Sequence, residues 1–407
     1  MEKCAKDAKE RGRESWKYAY ALDTTEGERN KGKTEECGSA YFETNKTRFT
    51  ILDAPGHKGY VPNMINGATQ ADVAILVISG RKGEFETGFD RGGQTREHAI
   101  LSKTAGVKKM LVCVNKLDDP SVVLEGGKWS NQRFEEIKAK LVPYLKQIGW
   151  KSKDVEFMPI SGLLGEGLLN RLSPQVCNWY TGPSLVEALD DIAIPNDHLH
   201  MGPILMPISY IYKDRDLIVS GKLESGIVRI GDKLDIFPVG KLVKVTSLHC
   251  AGGDETNAYA GENLKLGING VDENDVHPGA VIGSPEANLR SVVKIEAVLF
   301  IIEARNLITQ GYSAVMHIHE AQVPCTIYKL TGELHRKTGQ LIRRHPKFAK
   351  TGMRVRAKIA LELPTVVQPF KTMPKLGRFM LRAEGKTVAV GMVQRVAKMT
   401  SRDKMAM

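Results

Sequence analysis

The chain has 407 residues, well beyond the ~150 of an ordinary compact domain, so two or three domains are expected and a single small module is excluded. Apolar residues make up 42% and charged residues 26%, enough for several cores and inconsistent with a globally disordered chain. The formal net charge is +11, which attracts polyanions such as nucleic acid or ribonucleoprotein without choosing among them.

Along the first half, FTILD (49–53), ADVAILVIS (71–79), KMLVCVNK (109–116) and VEFMPIS (155–161) are short runs rich in Val and Ile. Stretches long enough for crossover helices separate them, which predicts a parallel α/β sheet. CGSAYFETNKTRFTILD (37–53) alternates as the two strands of a hairpin. After Ser130, an expected N-cap, the residues Phe134, Ile137, Leu141, Leu145 and Ile148 recur at steps of three and four and predict an amphipathic helix, kinked at Pro143. No apolar stretch approaches the ~20 residues of a bilayer span, and the opening residues lack the hydrophobic middle of a secretory signal. A membrane partner is therefore not expected. The six cysteines form no CxxC, so a reducing compartment, the cytosol, is the expected location.

Near Pro195 the texture changes to short alternating strands punctuated by glycine, in two sets, the second beginning at Val293. Such spacing predicts antiparallel barrels. The expected organisation is an α/β domain over 1–196, a first β-barrel over 197–292 and a second over 293–400.

Ligands of a parallel α/β sheet bind at the carboxyl ends of its strands, and three of the four runs end in informative loops: DAPGH (53–57), NKLD (115–118) and SGL (161–163). Together they predict a guanine-nucleotide site. Asp118 can accept two hydrogen bonds from the N1 and N2 hydrogens of guanine, which adenine lacks. Asn115 offers an amide to the purine edge and neighbouring loops, the stem of Lys116 can lie against the base, and the Ser161-Gly162 backbone can donate to O6. In DAPGH, Asp53 is expected to hold Mg²⁺ through water, while Gly56 lets its backbone N–H approach a γ-phosphate. His57 follows, where an imidazole could orient the attacking water.

Residues 27–34, GERNKGKT, match the pattern of a phosphate-binding loop literally. Such a loop must follow an apolar strand and open a helix, whereas this one follows WKYAYALDTTE and precedes the alternating hairpin. Thr34 reads instead as part of a switch segment whose hydroxyl reaches Mg²⁺ when a γ-phosphate is present. No other stretch qualifies, so the sheet is expected to lack its first strand and phosphate-binding loop, as in an N-terminally shortened GTPase.

The order switch threonine, DAPGH, NKLD, SGL and two barrels resembles the translational GTPases related to elongation factor one-alpha. RNKGKTEECGSAYFET (29–44), GEFETGFDRGGQTREHAILSKTAGVK (83–108), WSNQRFEEIKAKLVPYLKQIG (129–149), GKLESG (221–226) and GRFMLRAEGKTVAVG (377–391) look like the class-two release factors within them, the eukaryotic peptide chain release factor GTP-binding subunits. The Lys33-Thr34 pair and the FETGF segment favour that branch, because elongation factors usually carry isoleucine before the threonine. The resemblance implies an incomplete P-loop GTPase domain followed by two antiparallel β-barrels. It also implies GTP or GDP with Mg²⁺ bound through Thr34, Asp53, Ala54, Pro55, Gly56, Asn115, Lys116, Asp118, Ser161, Gly162 and Leu163, and His57 as the catalytic residue. The implied partners are the ribosome and the class-one, stop-codon-reading release factor, the latter at Gly377, Arg378 and Phe379, with no sequence-specific nucleic-acid binding. The resemblance covers nearly the whole chain; departures are an insertion around Leu124 to Lys128 and KDRD (213–216), the second expected to distort an edge of the first barrel. A decoding or rescue GTPase and a nucleotide-free docking fragment stay open as alternatives.

Overall fold

A computed structural model describes residue 34 and residues 37–90, 93–193, 200–250, 253–304, 306–336 and 338–397. The segment 27–33 lies outside the described residues. The chain divides after Ile194 into two compact units.

In the first unit, strands β1 (Gly38–Glu43) and β2 (Arg48–Asp53) pair antiparallel as the alternation predicts. Helix α1 (Val61–Gln70) follows, then β3 (Val73–Ser79), α2 (Glu84–Phe89), α3 (Gln94–Ala105), β4 (Lys109–Asn115), α4 (Asn131–Gln147), β5 (Val155–Pro159) and α5 (Leu185–Asp190). Strands β3, β4 and β5 form a parallel sheet in that order, separate from the β1–β2 hairpin among the described residues. The burial of β4 explains its unbroken apolar run. Val112 and Val114 pack with Phe134, Ile137 and Leu141 of α4, while Leu111 and Cys113 pack on the other face with Met158, Ile160 and Ala188. Strand β3 is covered on one face: Leu76 and Ile78 are buried, Ile75 and Val77 exposed. The Ser130 hydroxyl accepts from Arg133 N and caps α4, which runs on through Pro143 to Gln147.

The second unit is antiparallel throughout. Its first part holds β6 (Leu205–Pro207), β7 (Tyr210–Lys213), β8 (Leu217–Lys222), β9 (Ile227–Arg229), β10 (Lys233–Phe237), β11 (Lys241–Cys250), β12 (Gly253–Asp254), β13 (Asn257–Tyr259), β14 (Asn263–Asn269) and β15 (Val281–Gly283). The main sheet runs β6-β15-β10-β11-β14-β8-β7, and Glu224 N, just after β8, donates to Leu205 O of β6, which curls the sheet round on itself. KDRD does not distort this edge: β7 and β8 stay in regular register up to Lys213 opposite Leu217, and Asp216 accepts a 2.6 Å bond from the Thr246 hydroxyl.

The second part holds β16 (Ser291–Ile301), β17 (Ile308–Thr309), β18 (Tyr312–Ile318), β19 (Ala321–Leu334), β20 (Leu341–Arg344), β21 (Phe348–Ala349), β22 (Arg354–Val366), β23 (Arg378–Ala383) and β24 (Lys386–Val396). Pairing runs β18-β23-β24-β16-β22-β19 and returns to β18, a closed barrel that leaves those six strands without a free edge. Phe379 lies opposite Gly391 in this barrel, and a Cβ on Gly391 would meet the Phe379 ring at 2.2 Å. Gly391→Ala is therefore expected to lower the stability of the second unit by roughly 1–3 kcal/mol, the range for overpacking a tight core. Adding Phe379→Leu should relieve part of that loss in the double variant. Urea unfolding followed by circular dichroism checks this; equal midpoints for Gly391→Ala and the parent would contradict the packing described.

Candidate functional site

The three informative loops of the first unit follow β2, β4 and β5, and two of them are joined by one side chain. Asn115 ends β4. Its Oδ1 accepts from its neighbour Lys116 N at 2.8 Å and from Gly162 N at 2.9 Å, linking NKLD to SGL. Its carbonyl accepts from Gly80 N at 2.7 Å, which adds the end of β3. That approach requires glycine, since a Cβ on Gly80 would stand 2.8 Å from Leu117 Cδ2 and 3.1 Å from the Asn115 carbonyl. Leu117 is fully buried and anchors the loop from below, while Lys116 takes a positive φ of 64° that turns the chain outward.

Asp118 is half-buried, and its Oδ1 is buried with no hydrogen-bond partner among the described residues. A carboxylate oxygen withdrawn from water and given no donor is costly unless a ligand supplies one. In SGL the structure departs from the expectation. Ser161 N donates to Glu166 O and Gly162 N to Asn115, so both groups are spent on the loop itself. Leu164 N donates to Ser161 Oγ, which leaves the N–H of exposed Leu163 as the donor this turn can offer a base.

Two glutamates of one helical turn, which the sequence reading passed over, brace this edge. Glu84 accepts from Lys116 Nζ at 2.8 Å, from Ser79 Oγ at 2.7 Å and from Arg81 at 3.2 Å. The Lys116 ammonium and then the Ser79 hydroxyl hold its carboxyl down at about 2. Glu86 takes both terminal nitrogens of Arg133, at 2.9 and 3.2 Å, and that guanidinium holds its carboxyl at about 2 as well. Folded-state values this far below the ~4.3 of a free glutamate mean stabilisation that is full above that value and lost as pH falls toward 2. Arg133 is buried and spends all five of its donors, the others going to Gly80 O, Arg81 O and Glu136. It thereby fastens α2 and the turn after β3 to α4.

On the DAPGH side, His57 Nδ1 accepts from Gly59 N at 3.1 Å, so the neutral ring carries its proton on Nε2. His98 of α3, also missed from sequence, places Nε2 3.1 Å from the Gly56 carbonyl. Burial lowers the pKa of His98, and as a neutral ring it must protonate Nε2 to make that bond. Asp53 ends β2, Pro55 is buried, Ala54 half-buried and Gly56 exposed; Thr34 is half-buried.

In the second unit, Gly377 abuts Phe370, whose backbone would lie 2.5 Å from an added Cβ, and the half-buried Arg378 stacks its guanidinium 5.2 Å from the Phe370 ring. Phe379 is a correction: at 1% exposure it fills the barrel core against Gly391 and has no ring to offer a partner. Arg382 is likewise turned in, donating to Thr387 Oγ1 and Gly385 O.

A parallel sheet with these loops at its carboxyl edge, followed by two antiparallel barrels, is the architecture of a translational GTPase. Three family patterns match in chain order: the elongation factor Tu GTP binding domain over residues 1–195, elongation factor Tu domain 2 over 217–283, and the GTP-eEF1A C-terminal domain-like family over 294–394. The chain belongs to the elongation factor Tu family of GTP-binding proteins. Curated relatives include the eukaryotic peptide chain release factor GTP-binding subunit of Candida maltosa, 45% identical over 97% of this chain and 55% of the relative. The same subunit of Kluyveromyces lactis is 44% identical over 97% of this chain and 56% of the relative. The chain thus spans about half the length of the curated relatives it matches. Among solved structures, the Ski7 GTPase-like domain of S. cerevisiae, bound to GDP and inorganic phosphate, superposes with a TM-score of 0.76 over 97% of this chain and 90% of that one, at 18% identity, a likeness of fold.

All four tryptophans, Trp16, Trp129, Trp150 and Trp179, precede the division at Ile194, so intrinsic fluorescence reports on the first unit. Arg133→Leu is expected to destabilise that unit by about 2–3 kcal/mol, less than the ~3–5 of a fully buried pair because Glu86 and Glu136 keep 37% and 45% exposure. Urea unfolding read by tryptophan emission measures it. An unchanged midpoint would mean that the guanidinium is not the brace described.

Proposed function

We propose that the protein is a translation-termination GTPase that binds guanine nucleotide with Mg²⁺, associates with the ribosome and a class-one release factor in the cytoplasm, and hydrolyses GTP during peptide release. The observation that carries the nucleotide reading is the buried Oδ1 of Asp118, without a hydrogen-bond partner among the described residues, beside a loop tied to SGL through Asn115. Guanine, with adjacent N1 and N2 hydrogens, is the base whose edge satisfies such a carboxylate. The names of the curated relatives support the termination role.

In this reading Asp118 selects the base, the Leu163 N–H serves O6 and Lys116, steadied by Glu84, lies along the ring plane. Gly56 lends its N–H to the terminal phosphate, with His98 on its carbonyl fixing the peptide plane. His57, with Nδ1 occupied by Gly59 N–H, presents Nε2–H to the attacking water; that atom donates and cannot take up a proton, so its work is orientation. Thr34 and Asp53 offer the hard oxygen donors that Mg²⁺ takes alongside water and phosphate, and the ion would neutralise phosphate charge. Gly377 and Arg378 are the proposed contact with the class-one factor, Phe379 holding their strand from inside the barrel.

The experiment is GTP turnover in the presence of ribosomes and class-one release factor. His57→Ala is expected to slow it roughly 10²-fold or more while nucleotide binding is spared, since water orientation matters only in the reaction. Equal turnover for the variant, or turnover indifferent to the class-one factor, would contradict the proposal.

A further inference from the structure

Strand β20 lies outside the closed barrel. It pairs with the last residues of β19, Gly332 to Leu334, and its other edge pairs with no strand among the described residues. All four of its residues are exposed, including Leu341 at 47% and Ile342 at 59%. An open edge presents backbone N–H and C=O groups that can continue a ladder, and large apolar side chains beside it make it a template for another strand. Proteins usually blunt such edges with charge, and here arginines stand in that place. Arg343 faces Glu333 in register without closing an ion pair. Arg344 and Arg356 flank Gly332 from its two sides, again with no carboxylate partner among the described residues.

We propose that the outer edge of β20 takes up an extended acidic segment of a protein partner as an added strand. The edge supplies ladder hydrogen bonds, Leu341 and Ile342 receive apolar side chains, and Arg343 and Arg344 receive carboxylates through charge-assisted bonds. Charge selects this occupant. A second copy of the chain, adding antiparallel along the same edge, would bring two pairs of arginines into one short ladder, on a chain whose net charge is already +11. The phosphate backbone of a nucleic acid would meet the arginines but leave Leu341, Ile342 and the open ladder in water. The site is also separate from the proposed contact with the class-one factor. Phe379, beside Arg378, is level with Ile318 and so with Ala321 at the start of β19, whereas β20 pairs with the end of β19, roughly 35 Å of strand further on. This surface needs no nucleotide and goes beyond the GTPase reading.

The probe is a fluorescein-labelled peptide of about eight residues, valine and glutamate in alternation, titrated by anisotropy against the full chain near ~0.1 M salt. It is expected to bind. The same peptide N-methylated throughout keeps its charge and side chains but cannot extend a ladder, and should bind about tenfold more weakly or worse, which tests the strand pairing without altering the protein. Arg343→Ala with Arg344→Ala should weaken the unmethylated peptide about tenfold while the circular dichroism spectrum stays that of the parent. Lys233→Ala with Lys244→Ala, which removes the same charge from the first barrel, should leave the affinity unchanged. No binding of the unmethylated peptide, or equal affinity for the two peptides, would overturn the added strand. Equal losses for the two pairs of substitutions would reduce the effect to net charge and overturn the site. Duplex RNA that binds where the peptide does not, with that binding lost on the arginine changes, would assign the edge to nucleic acid; a dimer in sedimentation that the peptide disperses would assign it to a second copy. Either would overturn the proposal.

Discussion

The edge of the first unit that carries NKLD and SGL depends on the double use of Asn115. Its carbonyl closes the turn after β3 and its carboxamide oxygen closes the turn after β5, so three strand ends are bound to one residue. A carboxamide suits this because it accepts through one atom and keeps two donors for a purine. Gly80 and Gly162 approach closely enough that side chains would crowd that residue. Asp118 stands three residues on, directly after the fully buried Leu117, which anchors the backbone that carries it.

The charged residues around this edge do structural rather than catalytic work. Glu84 and Glu86 sit two residues apart and engage different cations, one exposed and one buried. Lys116 gains a fixed direction from an exposed pair of small intrinsic worth. Arg133, by contrast, is a saturated node. Its loss would leave the carbonyls of Gly80 and Arg81 as well as two carboxylates short of partners, so the cost is concentrated in one side chain.

Much of this was legible in the chain because periodicity is a local property. The parallel strands, the hairpin before DAPGH and the face of α4 all follow from spacing, and the loops stand where strand ends predict them. What escaped depends on partners distant in sequence. Arg133 reads as an ordinary polar position on α4 until the turn carrying Glu86, 47 residues earlier, is folded against it. Phe379 looks like an aromatic anchor next to two arginines, yet the glycine that makes room for its ring lies on the neighbouring strand. Likewise KDRD, read as a disruption, closes a regular turn, and its last carboxylate accepts from the Thr246 hydroxyl.

The proposed recognition of guanine by Asp118 is most directly tested by competition between GTP and xanthosine triphosphate for the protein and for Asp118→Asn. The amide presents a donor where guanine also has one, whereas xanthine offers an oxygen there. The parent should prefer the guanine nucleotide and the variant the xanthine nucleotide; a variant that keeps the parent's preference for guanine would contradict the account.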